Sequence, residues 1–146
     1  MKTKFKQAYM TCAQTFAELS HCERAKVGCI IVKDNRIISI GYNGMPSGWD
    51  NCCEDIYIEP DGHSSSLRSK PEVLHAEANA IAKLAQSAET ATGASLFCTH
   101  MPCMDCAKLI HQSGISEVYY HIDYRARVGS GLEFMQKSGI KTEQVL

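Results

Sequence analysis

Two short segments place metal-binding side chains at the beginnings of two predicted helices, and this feature constrains the fold more than any other. One segment reads His-Ala-Glu at residues 75–77, and the other reads Pro-Cys-Met-Asp-Cys at residues 102–106. Cys103 and Cys106 are three residues apart, so both thiols leave the same side of a first helical turn and can bind one ion. Because His75 supplies a third ligand, the fold must bring two helix N-termini together.

The ligand count at this predicted centre distinguishes a catalytic metal from a structural one. Zinc prefers tetrahedral nitrogen and sulfur donors, and a catalytic zinc keeps three protein ligands so that water takes the fourth position. Glu77 lies about 200° from His75 around an ideal helix, so both can serve one site only if the ion lies over the helix end. There the partial positive charge of the helix N-terminus favours thiolate and hydroxide. The pattern predicts that the three ligands hold a catalytic zinc and leave Glu77 free to transfer protons.

Size, charge and cysteine usage bound the remaining possibilities. The chain has 146 residues, 45% of them hydrophobic, which suits one domain with an ordinary core. A formal charge of −1 offers no basic field for binding a nucleic-acid backbone. The sequence has no apolar run of the roughly 18 to 20 residues that span a membrane, and its N-terminus lacks the apolar stretch of a signal peptide. We therefore expect a soluble, cytoplasmic protein whose eight cysteines serve metal binding or thiol chemistry.

The order of predicted elements indicates one α/β domain over residues 1–146. Helical spacing of apolar residues and strong helix formers predict helices over 2–20, 75–87, 103–112 and 131–138. Runs of β-branched and other apolar residues predict strands over 27–32, 37–42, 94–98, 118–122 and 140–145. The first two strands are predicted to form a hairpin. This order implies a three-layer α/β/α architecture with a mixed sheet of about five strands.

The motifs at both helix beginnings, together with one loop, resemble those of the zinc-dependent cytidine and deoxycytidylate deaminases over nearly the whole chain. The matching segments are Gly-Tyr-Asn-Gly-Met-Pro-Ser-Gly at 41–48, His-Ala-Glu-Ala-Asn-Ala-Ile at 75–81 and Pro-Cys-Met-Asp-Cys-Ala-Lys at 102–108. The loop favours the deoxycytidylate branch. The resemblance implies a cytidine-deaminase-like fold and the hydrolysis of dCMP to dUMP and ammonia, by attack of zinc-bound hydroxide on cytosine C4 with Glu77 as proton shuttle. Such an enzyme supplies dUMP for thymidylate synthesis.

The resemblance also implies binding residues and regulation. Asn43 is expected to bind the sugar hydroxyl, and Gly44 and Met45 are expected at a site for a regulatory nucleotide with Mg²⁺. The family pattern implies activation by dCTP, inhibition by dTTP and assembly as a homohexamer. A nucleotide phosphate needs a cationic partner, for which Arg24 is the candidate. Tyr124 either closes over the nucleotide or packs as an ordinary aromatic residue.

The segment between the predicted hairpin and the second predicted helix holds further candidate metal ligands. Residues 41–70 are rich in Gly, Pro, Ser, Asp and Asn and show no sustained period, so we expect a functional loop inserted at about 44–70. Some viral members of the resembled family hold a second, structural zinc in this region. The candidate ligands for it here are Cys22, Cys52, Cys53 and His63. The alternative is that these are free thiols and a surface histidine.

Two other functions fit parts of this pattern. A deaminase of another nucleobase, acting on cytidine or on adenosine in transfer RNA, uses the same zinc motif, although the near-neutral charge disfavours an RNA substrate. A non-catalytic, zinc-stabilised binding module would need a fourth zinc ligand, for which Cys98, His100 and His111 are near in sequence. Such a module has no use for the carboxylate of Glu77. We expect a small-molecule substrate, with no nucleic-acid or membrane partner.

Overall fold

Residues 1–123 and 130–146 of a computed structural model form four helices and seven strands. In chain order they are α1 (Thr3–Ala17), β1 (Gly28–Lys33), β2 (Arg36–Tyr42), β3 (Glu54–Ile58), β4 (Ser65–Ser69), α2 (Ala76–Ala85), β5 (Ser95–His100), α3 (Met104–Gln112), β6 (Glu117–Ile122), α4 (Leu132–Lys137) and β7 (Lys141–Gln144). All predicted helices and strands are present, and the two additional strands lie in the segment predicted as a loop. None of the helices in these residues has the length and hydropathy needed to cross a membrane.

Five of the strands form one mixed sheet in the order β2–β1–β5–β6–β7. β1 is antiparallel to β2 and to β5, whereas β5, β6 and β7 run parallel. Asp34 and Asn35 close the β1–β2 hairpin with positive φ angles of 50° and 60°. Two consecutive positive φ angles are typical of a type I′ turn, whose twist matches that of the flanking strands. The predicted hairpin and the predicted mixed sheet are confirmed.

Helices cover both faces of this sheet. Successive residues of a strand point to opposite faces, and β1 shows the consequence. Ile30 and Val32 pack with residues of α1 in one buried cluster, whereas Cys29 and Ile31 belong to a second cluster with residues of α2, α3 and α4. The predicted three-layer α/β/α architecture is therefore confirmed.

The ends of several strands, next to which the sequence motifs lie, meet along one side of the sheet. Because β1 is antiparallel to both neighbours, its first residue lies beside the last residues of β2 and β5. Gly41 in β2 lets α2 approach closely, since a Cβ atom there would lie 2.6 Å from the backbone nitrogen of Ala80. Asn79 Nδ2 donates to the carbonyl of Tyr42 at 2.9 Å. These contacts bring the beginning of α2 to the edge where β5 leads into α3.

The inserted segment is more regular than its composition predicts. β3 and β4 pair as a separate antiparallel hairpin, with Ile56 opposite Leu67. The prediction of a loop without strands was wrong. A strand with one buried face shows alternating apolar and polar residues, but these strands bury little: Ile56 is 73% exposed and Ile58 is 60% exposed. The sequence of β4, Ser-Ser-Leu-Arg-Ser, also lacks the β-branched and aromatic residues that favour strands.

Candidate active site

The beginnings of α2 and α3 bring three metal-binding side chains together. The ligand atoms of His75, Cys103 and Cys106 all lie within 4.8 Å of one another. His75 Nδ1 is 3.6 Å from the Sγ atom of Cys103 and 3.3 Å from the Sγ atom of Cys106. One imidazole nitrogen and two thiols are donor types that zinc prefers, and three protein ligands are the number that a catalytic zinc keeps. The donor set therefore fits a catalytic zinc ion.

Helix geometry fixes these ligands. His75 and Cys103 are the N-cap residues of α2 and α3, and neither side chain makes a capping hydrogen bond. The His75 carbonyl accepts from the Asn79 N–H at 3.0 Å. The Cys103 carbonyl accepts from the Ala107 N–H at 2.8 Å. The backbone thus begins each helix while the side chains stay available for a ligand, and the helix N-termini provide partial positive charge there.

The two cysteines share one proton. A hydrogen bond from Cys106, together with contact with His75, lowers the pKa of the Cys103 thiol to about 4. The same hydrogen bond, together with burial, raises the pKa of Cys106. Cys103 is therefore the thiolate of the pair at neutral pH. Because metals bind the thiolate form, a divalent cation bound here would displace the proton that Cys106 holds.

A buried carboxyl lies next to the three ligands. Glu77 is 4% exposed, and burial raises the pKa of its side chain. The thiol of Cys106 donates to Glu77 Oε2 at 3.7 Å. A carboxyl with a raised pKa can take up and release a proton closer to neutral pH than an exposed one. This placement is what proton transfer by Glu77 requires.

His75, Cys103 and the carboxyl of Glu77 line one cavity of about 700 Å³, a volume typical of small-molecule sites, which span roughly 300–1,000 Å³. Asn43 also lines it, and its amide is engaged with the backbone. Its Oδ1 accepts from the Val27 N–H at 2.9 Å, and its Nδ2 donates to the Ala25 carbonyl at 2.8 Å. Asn43 therefore holds the segment that precedes β1 against the cavity. Its predicted contact with a sugar hydroxyl stays a prediction.

The other binding residues predicted from the sequence fall in three places. Arg24 lines the cavity. Gly44 exchanges two backbone hydrogen bonds, of 3.1 and 2.8 Å, with Leu74, which immediately precedes the metal-binding histidine. Met45 follows Gly44 and is half-buried. Tyr124 lies outside the residues that the structure describes.

Of the four candidate ligands predicted for a second metal site, the structure brings Cys22 and Cys53 together, and it adds Glu54. Cys22 and Cys53 form a disulfide, and a carboxylate oxygen of Glu54 lies within 4.8 Å of both sulfur atoms. Cys52 is exposed and its thiol donates to the Glu54 carbonyl at 3.3 Å, while His63 lies in the turn between β3 and β4. The group that gathers here is thus two cysteines and one glutamate. Since zinc binds thiolates, this pair can hold zinc only after reduction, and the second zinc stays a prediction.

A family model described as the cytidine and deoxycytidylate deaminase zinc-binding region matches residues 3–122. That range contains the three converging ligands and Glu77. This chain belongs to the cytidine and deoxycytidylate deaminase family. The match confirms the family that the motifs predicted, and it accounts for a zinc-type donor set that lies beside a buried carboxyl.

Relatives within this deaminase family match almost the whole chain. ComE operon protein 2 of Bacillus subtilis is 34% identical over 144 residues, which covers 99% of this chain and 72% of the relative. A deoxycytidylate deaminase of Schizosaccharomyces pombe is 34% identical over 140 residues, covering 94% of this chain and 43% of the relative. The crystal structure of dCMP deaminase from the cyanophage S-TIM5 in complex with dCMP and dUMP matches with a TM-score of 0.86 at 45% identity, over 99% of this chain and 98% of that chain. The fold is therefore that of the deaminase family.

Sequence reasoning missed several residues that line the cavity of this deaminase. Glu54, Ser69 and Lys70 belong to the inserted hairpin or its base. A signal for Lys70 is present, since it is the last residue of the insertion, directly before Pro71. Glu54 gives no such signal, because a carboxylate in a polar loop is most often a solvated side chain.

Proposed function

We propose that this chain catalyses the hydrolytic deamination of dCMP to dUMP with release of ammonia, acting as one catalytic domain that carries the hairpin insertion. The observation that carries this proposal is the convergence of one histidine, two cysteines and a buried glutamate at a cavity that His75, Cys103 and Glu77 line. The matching cyanophage protein is a dCMP deaminase in complex with dCMP and dUMP, which supports the same substrate for this chain. The product would supply dUMP for thymidylate synthesis.

The residues of the site divide the reaction between them. His75, Cys103 and Cys106 would hold zinc, which supplies Lewis acidity and an activated water molecule when bound. Glu77 takes up a proton that the attacking water loses and gives it to N3 of the cytosine ring. The same carboxyl then carries the second proton to the amino group, which leaves as ammonia when the C4–N bond breaks. The oxygen and both protons come from one water molecule, so the reaction balances.

Ammonia release from separately supplied substrates tests the proposal. We expect the zinc-loaded protein to turn over dCMP, and to turn over deoxycytidine, dCTP and transfer RNA much more slowly. Preferred turnover of a nucleoside or of transfer RNA would assign the chain to another branch of the same family. If none of the four substrates released ammonia, the site would be that of a zinc-stabilised binding module.

Regulation by nucleotides belongs to the same proposal. dCTP with Mg²⁺ would activate and dTTP would inhibit a homohexamer, through a site that includes Gly44 and Met45. The two hydrogen bonds between Gly44 and Leu74 support this, because a ligand on the loop would act on the residue that precedes His75. Rate against dCMP should then be sigmoidal, hyperbolic with dCTP and Mg²⁺, and depressed by dTTP, with a coupling of about 1 to 3 kcal/mol. Hyperbolic kinetics that neither triphosphate changes would remove the regulation and leave the catalytic proposal intact.

A second zinc is the last part of the proposal. In the reduced protein, Cys22, Cys53 and Glu54 would supply ligands for it, since their ligand atoms already lie within 4.8 Å of one another. Such an ion would stabilise the base of the insertion, because metal binding to a folded site contributes folding free energy. The cytoplasmic location and the lack of a nucleic-acid partner stay predictions.

A further inference from the structure

Two cationic side chains line the cavity that contains the metal-binding residues. Of the lining residues in the described part of the chain, Arg24 and Lys70 are those with a permanent positive charge. The contacts recorded for them are long. Arg24 Nη1 donates to the Ser69 hydroxyl at 3.3 Å, and Lys70 Nζ lies 3.9 Å from a carboxylate oxygen of Asp55, whose side chain is 71% exposed. A hydrogen bond to a neutral hydroxyl and a long, exposed ion pair each contribute little, so both cations can exchange these contacts for a more highly charged ligand.

One dipeptide, Cys53–Glu54, anchors the backbone of both cations. Glu54 Oε1 accepts from the backbone N–H groups of Glu23 at 2.9 Å and of Arg24 at 3.2 Å. The carbonyl of Cys53 accepts from the Lys70 N–H at 2.7 Å, and a disulfide ties Cys53 to the segment before Arg24. The two cations therefore start from backbone positions that are fixed relative to each other. Such preorganisation favours binding, because less conformational freedom is lost when a ligand arrives.

We propose that Arg24 and Lys70 bind the 5′-phosphate of the substrate, and that Glu54 positions Arg24 for this contact. The inference rests on the proposed function and makes the hairpin insertion the element that selects a nucleoside monophosphate over a nucleoside. A phosphate monoester carries close to two negative charges at neutral pH. A guanidinium can contact two phosphate oxygens, whereas an ammonium acts as a point charge. Two cations thus match the charge of one terminal phosphate.

Substrate pairs with and without the phosphate test this assignment. For Lys70→Met we expect kcat/KM for dCMP to fall about 10- to 100-fold, because charge-assisted hydrogen bonds have this magnitude. The loss should come from KM, and kcat/KM for deoxycytidine should stay at the parent value. Arg24→Gln should behave in the same way. Lys137→Met is the matched control, because Lys137 is an exposed residue of α4 paired with Glu133 at 3.0 Å, and it should change neither substrate.

The outcomes separate this inference from the proposed function. If the parent protein does not deaminate dCMP, the proposed function fails. If the parent is active on dCMP and Lys70→Met lowers dCMP and deoxycytidine turnover equally, or lowers neither, the phosphate assignment is wrong. Inhibition by inorganic phosphate, competitive with dCMP, gives a second measurement. It should weaken about tenfold or more in Lys70→Met and stay unchanged in Lys137→Met.

The positioning role of Glu54 has its own test. Glu54→Gln keeps an oxygen that can accept from the two N–H groups, so kcat/KM for dCMP should stay within about threefold of the parent. Glu54→Ala removes that acceptor, and we expect kcat/KM for dCMP to fall about tenfold through KM, with deoxycytidine turnover unchanged. Deoxycytidine turnover also reports whether each variant is folded. Equal KM values for dCMP in the parent and in Glu54→Ala would overturn the positioning role.

Discussion

Two groups of similar composition each contribute residues to the wall of the cavity, and each has two cysteines and one further metal-binding side chain. In the first group, His75, Cys103 and Cys106 lie at the beginnings of two helices that pack on the central sheet. In the second, Cys22 and Cys53 join a segment before β1 to the base of the exposed hairpin. The first pair of cysteines shares one proton, and the second pair is bonded through sulfur. Similar residues thus serve reactivity in one place and cross-linking in the other.

The carboxylates of the two groups show why the roles differ. Glu77 is buried, and burial raises its pKa although hydrogen bonds with its own backbone and with Cys98 act in the opposite direction. Glu54 instead accepts two backbone N–H groups, at 2.9 and 3.2 Å. A carboxyl whose pKa is raised by burial can hold and release a proton closer to neutral pH, whereas Glu54 serves as an acceptor that fixes the backbone before β1. The surroundings, rather than the residue types, therefore decide which group can do chemistry.

The largest expected effect is loss of the metal from the first group. Cys106→Ala should lose bound zinc and all measurable deamination, because two ligands hold zinc far more weakly than three. Metal analysis and ammonia release give the two readouts. Cys12→Ala is the matched control, since Cys12 is a free cysteine on α1, and it should keep both. Full zinc occupancy in Cys106→Ala would contradict the assignment of Cys106 as a zinc ligand.

The next effect separates the two carboxylates. Glu77→Gln should keep the zinc and the fold and lose about 10²- to 10⁴-fold in kcat, because the amide preserves size but cannot shuttle protons. Glu54→Gln makes the same chemical change in the second group and should leave kcat near the parent value. Steady-state kinetics with metal analysis on both variants measure this contrast. Glu77→Gln activity within threefold of the parent would refute the proton-transfer role.

A smaller effect, on stability, distinguishes a cross-link from a metal site in the second group. Without reductant, Cys22→Ser should lower the free energy of unfolding by about 2 to 4 kcal/mol, the contribution expected for a disulfide that closes a loop of this size. Its sequence separation is 31 residues. Residual folded protein should keep the first zinc and still deaminate. Denaturant unfolding of the parent and the variant measures the difference, and equal stabilities would show that the cross-link contributes nothing.

Adding reductant sharpens the same comparison. If the second group is only a disulfide, reduced parent protein should fall to the stability of Cys22→Ser. If it binds a second zinc when reduced, the parent should hold close to two zinc ions per chain and stay more stable than the variant. Zinc content measured with and without reductant distinguishes the two outcomes.

The same contrast shows what the sequence could predict. The first group was predictable because its geometry is local: the spacing of Cys103 and Cys106 follows from one helical turn, and the composition around His75 marks a helix beginning. The fold followed for the same reason, since its helices and buried strands carry clear periodicity. If His75, Cys103 and Cys106 bind the same ion, the N-termini of the two helices must lie close together, and this could be predicted without the structure.

The second group depends on contacts that no local pattern encodes. The pairing of Cys22 with Cys53 joins distant residues, and cysteine connectivity cannot be deduced from spacing alone. It also depends on the β3–β4 hairpin, whose apolar residues face solvent and therefore gave no amphipathic signal. Lys70 reaches the cavity only because this hairpin returns the chain to Cys53. Of the two cations that we assign to the phosphate, Arg24 was a candidate from the sequence, whereas Lys70 was missed for that reason.

The smallest expected effect concerns Cys52 and His63, the two predicted ligands that lie outside the group formed by Cys22, Cys53 and Glu54. Cys52→Ser and His63→Ala should each change the free energy of unfolding by no more than about 0.5 kcal/mol, as exposed substitutions usually do. A serine hydroxyl can replace the Cys52 thiol in its hydrogen bond to the Glu54 carbonyl. His63 donates through its backbone N–H to Asp61 at 2.7 Å, and alanine keeps that donor. Zinc content and dCMP turnover should therefore match the parent in both variants. Loss of a zinc ion in Cys52→Ser under reducing conditions would restore Cys52 as a ligand and extend the second group beyond Cys22, Cys53 and Glu54.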